Sequence, residues 1–176
     1  MKNTVAKFKH ADYLWDDKKA ASYGDDQVEL FLYRSNILGA DLRITNYGGG
    51  NTSCKTIEKD PLTNEEVEVM WIKGSGGDIG TLNRAGIAGI YVDRLRNLKN
   101  VYGGLEDEDR MVGLFNHSIY DLDSKAPSID TPLHGLLPFA HIDHLHPDAL
   151  IAVAAAENSE QVTKEIWGDT MGWVPW

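Results

Sequence analysis

The sequence predicts a single α/β domain, and three observations support this prediction. A chain of 176 residues, 42% of them hydrophobic, can bury one core but is short for two. One early stretch has apolar residues at helical spacing, whereas two later stretches have the composition of strands joined by a turn. No internal repeat or low-complexity linker divides the chain. We therefore expect residues 1–176 to form one domain.

The first predicted element is a helix over residues 25–39. Asp25 or Asp26 can cap its start, and Gly39 provides a stop. Four residues recur at helical spacing and mark one face of the helix, namely Val28, Phe31, Leu32 and Ser35. We expect the helix to pack through that face.

Strands are predicted after this helix. Residues 41–48 have the pattern of a strand, and residues 48–53, GGGNTS, have that of a glycine loop. Residues 53–60 and 65–75 indicate two more strands. The turn-rich segment DPLTN between these two strands predicts a hairpin.

The second half of the chain mixes helices and strands. Residues 87–98 are ambiguous between the two, because β-branched and aromatic residues open the segment and Leu and Arg close it. Residues 105–120 indicate a helix more clearly. Beyond them we predict a helix at 133–138, a strand at 140–146 and a helix at 148–156.

Charge and cysteine content exclude several classes of partner. The formal charge of −10 opposes a general attraction to DNA, RNA or anionic lipid, although a local loop can still bind a phosphorylated ligand. Cys54 is the one cysteine, so neither an intrachain disulfide nor a thiolate zinc cluster can form. The sequence has no signal-peptide core and no apolar run near the roughly 20 residues of a membrane helix. We expect a soluble, cytoplasmic protein.

Two short motifs contain residues that can bind metal or move protons. On a strand, His144 and His146 point to one face and can reach one cation, whereas His141 is out of phase. A lone His-x-His pair more often lies on the surface or makes hydrogen bonds than binds a metal ion. The alternative that these histidines bind no metal therefore stays open. In PSIDTP, two prolines hold Ser128 and Asp130 in place, although capping of the next helix is the favoured role of Asp130 when this motif is taken alone.

Two glycine loops could bind an anion. GGGNTS, residues 48–53, and KGSGGD, residues 73–78, place glycines beside hydrogen-bonding side chains. Consecutive backbone N–H groups in such loops can form a concave anion site. Neither loop is a Walker loop or a dinucleotide-binding loop, and each alone could be a simple turn.

Taken in order, NYGGGNTS, WIKGSGGD, PSIDTPLH and DHLHPDA resemble the class II aldolase and adducin head family. The resemblance extends from about residue 25 to the end and is greatest to the aldolase part of the bifunctional rhamnulose-1-phosphate aldolase/alcohol dehydrogenases. It implies a three-layer α/β/α domain with a central, mostly antiparallel sheet. The family's third histidine ligand lies beyond a segment that matches WGDTMGWVPW, and this chain has no later histidine. We therefore expect the chain to be an N-terminal fragment of a longer protein.

The resemblance also assigns roles to residues. His144 and His146 match the family's ligands to Zn²⁺, and Asp130 matches its acidic catalytic residue, which is usually glutamate. The residues implied in phosphate binding are Asn51, Thr52, Ser75, Gly76 and Ser128.

The implied function is that of a zinc-dependent aldolase in a homo-oligomer, for which the family suggests a tetramer. It would cleave a ketose 1-phosphate, above all L-rhamnulose 1-phosphate, to dihydroxyacetone phosphate and L-lactaldehyde. One alternative is another sugar-phosphate aldolase or epimerase of the same superfamily. A second is a non-catalytic, adducin-like interaction module, which would bind neither metal nor phosphate.

These patterns make a geometric prediction. The strand at 140–146 should hold His144 and His146 side by side with Asp130 nearby, and the two glycine loops should converge beside them. Because zinc lies 2.0–2.1 Å from its nitrogen ligands, imidazole nitrogens more than about 7 Å apart could not share an ion. Coordinates of the folded chain test both points.

Overall fold

An antiparallel sheet of four strands, in the order β3-β2-β1-β4, organises the computed structural model, which describes residues 12–175. The strands are β1 Asn51–Lys59, β2 Glu66–Lys73, β3 Ile87–Tyr91 and β4 His141–His144. The helices are α1 Asp17–Ala21, α2 Gln27–Gly39, α3 Val92–Arg96, α4 Glu108–Leu114, α5 Thr131–Leu136, α6 Asp148–Ala154 and α7 Ser159–Trp167. The predicted α/β class and antiparallel sheet are confirmed. The predicted domain also includes residues 1–11 and 176, which lie outside the described residues.

Helix α2 begins and ends as its sequence predicts. The Asp26 carboxylate accepts hydrogen bonds from the backbone N–H groups of Val28 and Glu29, at 3.1 and 3.0 Å, and so caps the helix. At the other end, a Cβ on Gly39 would overlap the backbone of Gly80. One face of α2 packs on the sheet in a cluster of Val28, Phe31, Leu32, Cys54, Leu82 and Ile87.

The predicted hairpin is confirmed as β1 and β2, which pair from Ser53 opposite Ile72 to Lys59 opposite Glu66. The Asp60 carboxylate stabilises the turn by accepting the N–H groups of Leu62 and Thr63, both at 2.9 Å. It also accepts a hydrogen bond from the Tyr91 hydroxyl at 2.6 Å. These three bonds keep the pKa of Asp60 low, at about 2.

Helices cover both faces of the sheet and complete three layers. Helix α2 lies on one face, and α3 and α5 lie on the other. The second face carries a core of Met70, Ile72, Ala88, Ile90, Val92, Leu95 and Phe115. Helix α5 approaches α3 closely, since a Cβ on Gly135 would overlap the buried side chain of Leu95. Within residues 12–175, no helix is both long and apolar enough to span a membrane.

Two predictions for the segment before β1 are wrong. Residues 41–48 form turns rather than a strand, because the Asp41 carboxylate binds the backbone and guanidinium of Arg43 at 2.8–3.0 Å. Such local side-chain bonds compete with strand pairing. The glycine loop ends at Gly50, and Asn51 already belongs to β1.

The later predictions are right in type and differ in extent. Residues 87–98 contain both alternatives, β3 followed by α3. Helix α4 covers only part of 105–120, since 3₁₀ turns precede and follow it. Helix α5 begins two residues before the predicted 133, helix α6 ends two residues before 156, and α7 was not predicted. Strand β4 is shorter than 140–146, because its partner β1 begins at Asn51 and offers nothing to pair beyond His144.

Replacing Gly39 by Ala should destabilise the fold. The added methyl group meets the Gly80 backbone, which cannot rotate away as a side chain could. We expect a loss of about 1–3 kcal/mol in the free energy of unfolding, measured by urea denaturation. Gly113→Ala in α4 is the control, because a Cβ there meets nothing within 4 Å and helix propensity favours Ala by roughly 0.5–1 kcal/mol. Equal stability of the two variants would contradict the packing of α2 on Gly80.

Candidate active site

The predicted site residues meet where β1 begins and β4 ends. Asn51 lies opposite His144 in the ladder between these strands, and Thr52 lies opposite Asp143. Because strand residues alternate between faces, Asn51 and Ser53 face α5, whereas Thr52 and Cys54 face α2. The register of this short ladder therefore decides which side chains enter the site.

Asn51 joins three of the predicted motifs. Its side chain is fully buried, and its Nδ2 donates to Ser128 Oγ at 2.5 Å. The same nitrogen lies 3.3 Å from both Asp130 Oδ2 and the Lys73 carbonyl oxygen. Since an amide has two N–H groups, three acceptors share them. Asn51 Oδ1 is buried and has no hydrogen-bond partner among residues 12–175.

Asp130 faces the site instead of capping α5. It makes no side-chain cap bond to the helix. Its backbone N–H donates to Ser128 Oγ at 3.2 Å, and its Oδ1 lies 3.6 Å from His144 Nδ1. Of the two alternatives for Asp130, the geometry favours the one in which its carboxylate belongs to the site.

The two histidines lie side by side, which confirms their predicted proximity. Their Nε2 atoms are 2.9 Å apart, although His146 lies beyond the end of β4. Burial lowers the pKa of His144 and outweighs the opposing effect of the Asp130 charge. His144 is therefore a neutral imidazole at neutral pH, which is the form that binds metal ions.

The histidine pair fits two ligands of a zinc ion. Two nitrogens bound to one tetrahedral zinc at 2.0–2.1 Å are about 3.3 Å apart, and the observed separation of 2.9 Å is within a few tenths of this value. Within the described residues, no three His, Cys, Asp or Glu side chains are placed to hold a metal ion between them. His144 and His146 are thus a partial ligand set.

The two glycine loops converge beside the histidine pair, as predicted. The Gly48 N–H donates to Asp78 Oδ2 at 3.1 Å and so links the loops. Gly49 lies against His146, since a Cβ there would be 2.9 Å from its Nδ1. Gly50 adopts a φ of 77° and lies against the His144 carbonyl oxygen, where a side chain would not fit. That these loops bind an anion stays a prediction.

The residues implied in phosphate binding do not all lie together. The second glycine loop runs beside the PSID segment, because the Ser75 N–H donates to the Ala126 carbonyl oxygen at 3.0 Å. Ser75 and Gly76 are exposed there, and Ser128 is buried. Thr52 is fully buried on the opposite face, with its hydroxyl 2.8 Å from that of Ser35. Its side chain therefore cannot share a pocket with that of Asn51.

Lys73 is a site residue that the sequence analysis did not single out. It is the last residue of β2 and is 4% exposed. Its Nζ donates to the Gly77 carbonyl oxygen at 2.7 Å, inside the second glycine loop. Burial lowers its pKa, while the charges of Asp130 and Asp78 raise it. The sequence feature that points to Lys73 as a site residue is its position directly before the glycines of WIKGSGG.

His134 holds α5 against the sheet. It is fully buried, and its Nδ1 lies 2.7 Å from the Ser53 hydroxyl. Burial lowers its pKa to about 4. This contact positions the start of α5, where Asp130 lies.

The buried His134 should make stability depend on pH. Between pH 6.5 and about 4, the unfolded chain binds a proton that folded His134 does not, so the free energy of unfolding falls as the pH falls. We expect this to contribute on the order of 1–3 kcal/mol. His134→Gln should lose that contribution, and His117→Gln, at an exposed histidine, should retain it. Urea denaturation across this pH range gives the three curves, and a His134→Gln curve parallel to wild type would contradict the assignment.

Comparison with known proteins agrees with this geometry. Residues 32–175 match the family described as the Class II Aldolase and Adducin N-terminal domain. The chain is 41% identical over 164 residues to the protein named "Uncharacterized oxidoreductase YuxG" of Bacillus subtilis (strain 168), covering 93% of this chain but only 23% of that protein. It also resembles the structure of the N-terminal class II aldolase domain of a conserved protein from Thermoplasma acidophilum, with a TM-score of 0.72 and 25% identity over 94% of this chain and 71% of the other. The chain thus belongs to the class II aldolase and adducin N-terminal domain family.

Proposed function

We propose that this chain provides the metal and phosphate sites of an aldolase that cleaves a ketose 1-phosphate. L-Rhamnulose 1-phosphate is the first substrate to test, with dihydroxyacetone phosphate and L-lactaldehyde as products. One observation carries the proposal. The histidine pair, the Asp130 carboxylate and the two glycine loops, which come from four separate segments of sequence, meet at one end of the sheet.

His144 and His146 would hold Zn²⁺ through their Nε2 atoms. A divalent cation there would act as a Lewis acid toward the oxygen atoms of the substrate. The protein keeps the His144 imidazole neutral by burying it, so its ligand nitrogen needs no deprotonation. Gly49 allows the loop backbone to lie against the His146 ring, and Gly50 allows it to approach the His144 carbonyl oxygen.

The glycine loops would bind the phosphate group. The backbone of Ser75 and Gly76, with the Ser75 hydroxyl, lies at the exposed edge of the second loop. Lys73 adds a positive charge beside that loop, which favours the binding of a dianion by a chain with a formal charge of −10. Asn51 and Ser128 lie deeper, and the unpartnered Asn51 Oδ1 can accept a hydrogen bond from a substrate hydroxyl.

Asp130 would move the proton. In the cleavage, the C4 hydroxyl loses its proton to a base, C4 becomes the aldehyde carbon and the C3–C4 bond breaks. The electron pair of the C3–C4 bond stays on C3, which then takes up a proton to give dihydroxyacetone phosphate. Asp130 is the carboxylate beside the histidine pair and is held by Asn51 and Ser128. Its side chain is one C–C bond shorter than glutamate, roughly 1.5 Å, so the substrate must bind correspondingly closer.

The first experiment measures substrate binding and cleavage separately. Nuclear magnetic resonance (NMR) titration of the chain with dihydroxyacetone phosphate should shift signals of both glycine loops, and Lys73→Met should weaken that binding. With zinc present, a coupled assay should detect dihydroxyacetone phosphate released from L-rhamnulose 1-phosphate. We expect turnover well below the typical median of about 10 s⁻¹, because the described residues supply only two metal ligands.

Other outcomes would select the alternatives. Release from a different ketose 1-phosphate would identify another aldolase of the superfamily. Epimerisation of a sugar phosphate without net cleavage would identify an epimerase. If the chain binds neither zinc nor phosphate, the proposal is wrong, and this result is the one that a non-catalytic interaction module predicts.

Asp130→Asn should abolish most of the cleavage activity. Removing a general acid or base typically costs about 10²–10⁴ in rate, whereas phosphate binding at the loops should persist. Asp143→Asn is the matched control, because it removes the same charge one residue from His144 on the opposite face of the sheet. The coupled assay compares turnover of the two variants with wild type, and equal turnover in all three would exclude Asp130 as the proton carrier.

A further inference from the structure

The Nδ1 atom of His144 has an unusual environment. It is buried and has no hydrogen-bond partner among the described residues. The Asp130 Oδ1 atom lies 3.6 Å away, just beyond hydrogen-bonding distance. The other ring nitrogen, Nε2, lies 2.9 Å from His146 Nε2. Each nitrogen of this ring therefore faces one particular neighbour.

These contacts determine where the proton of the neutral imidazole lies. If His144 carried it on Nε2 and donated it to His146, a buried lone pair on Nδ1 would face a carboxylate oxygen. Both groups would be acceptors, and neither would be satisfied. If His144 carries it on Nδ1, that N–H points toward Asp130, and His146 donates its own Nε2 hydrogen to His144. Only the second arrangement gives both nitrogens of His144 a partner.

We propose that Asp130 is a positioning residue that fixes the tautomer of His144. Its Oδ1 accepts the Nδ1 hydrogen, so the Nε2 lone pair is directed to the side shared with His146. A small rotation that brings the two atoms to about 2.7–2.9 Å makes this a charge-assisted hydrogen bond. The inference deepens the proposed function, in which this Nε2 atom is a metal ligand.

The surroundings hold Asp130 in the orientation this role requires. Its Oδ2 lies 3.3 Å from Asn51 Nδ2 and 3.4 Å from Ser128 Oγ, which leaves Oδ1 toward His144. Histidines that bind metal ions almost always donate their second N–H to such an acceptor, which sets the ring orientation and raises ligand basicity. The carboxylate that we propose moves the proton thus also acts on the ligand beside it.

The tautomer can be observed without metal. In ¹⁵N NMR of the full metal-free chain at neutral pH, we expect His144 to be protonated on Nδ1 and His146 on Nε2. Asp130→Ala should move His144 toward the Nε2-protonated form, and Asp143→Asn should not. Asp143 bears the same charge but pairs with Arg34 at 3.1 Å on the other face. If Asp130→Ala does not fold, Asp130→Leu replaces it, because a leucine of similar size has no oxygen that could accept the Nδ1 hydrogen.

Zinc titration of the same proteins provides a second measurement. Loss of an acceptor behind a metal-binding histidine typically weakens metal affinity about 10- to 100-fold, so we expect this loss in Asp130→Ala and none in Asp143→Asn. An Nε2-protonated His144 in wild type, or a tautomer unchanged in the Asp130 variants, would overturn the inference. Absence of zinc binding by wild type would instead overturn the proposed metal site, while the metal-free tautomer would still decide the role of Asp130.

Discussion

The short ladder between β1 and β4 is the contact on which the site depends. It pairs only Asn51–Cys54 with His141–His144, yet its register places Asn51 and His144 together on the face covered by α5. A slip of β4 by one residue would turn the His144 side chain to the α2 face and away from Asn51, which β1 keeps in place through its pairing with β2. Arg34 of α2 opposes such a slip from the other face of the sheet. Its guanidinium donates to the Ser53 carbonyl oxygen at 2.7 Å and pairs with Asp143 at 3.1 Å, so it links β1 to β4.

As a result, the two faces of the sheet have different roles. Side chains on the α2 face are bound to one another, as with the hydroxyls of Thr52 and Ser35, and they hold the ladder in place. Side chains on the α5 face keep unsatisfied atoms, including Asn51 Oδ1 and His144 Nδ1. Because unpaired buried polar atoms are costly, they are expected where a ligand, water or a neighbouring charge completes them. The stability of one face thus supports reactive groups on the other.

The sequence predicted those parts of the fold that depend on local signals. The hairpin follows from Asp60 and the turn residues after it. The period of two in DHLH correctly predicted that His144 and His146 lie together, although β4 ends at His144 and Gly49 of the first glycine loop lies against His146. The sequence prediction placed Thr52 in the phosphate site because GGGNTS has the pattern of a loop. Strand alternation from Asn51 onward places the Thr52 side chain on the other face of the sheet. Lys73 was missed because a lysine is almost never fully buried, although the glycine loop whose Gly77 carbonyl oxygen it contacts follows it directly in the sequence.

Asp130 was ambiguous in the sequence for a physical reason that the fold explains. A capping residue normally has extended backbone angles, but Asp130 has φ −74° and ψ −8°, which are already helical, and its side chain makes no cap bond. Helix α5 forgoes a contact worth about 0.5–2 kcal/mol and is held by tertiary contacts, the His134–Ser53 hydrogen bond and the close packing of Gly135 on Leu95. Since those contacts fix the helix, the Asp130 carboxylate is free to face Asn51 and His144.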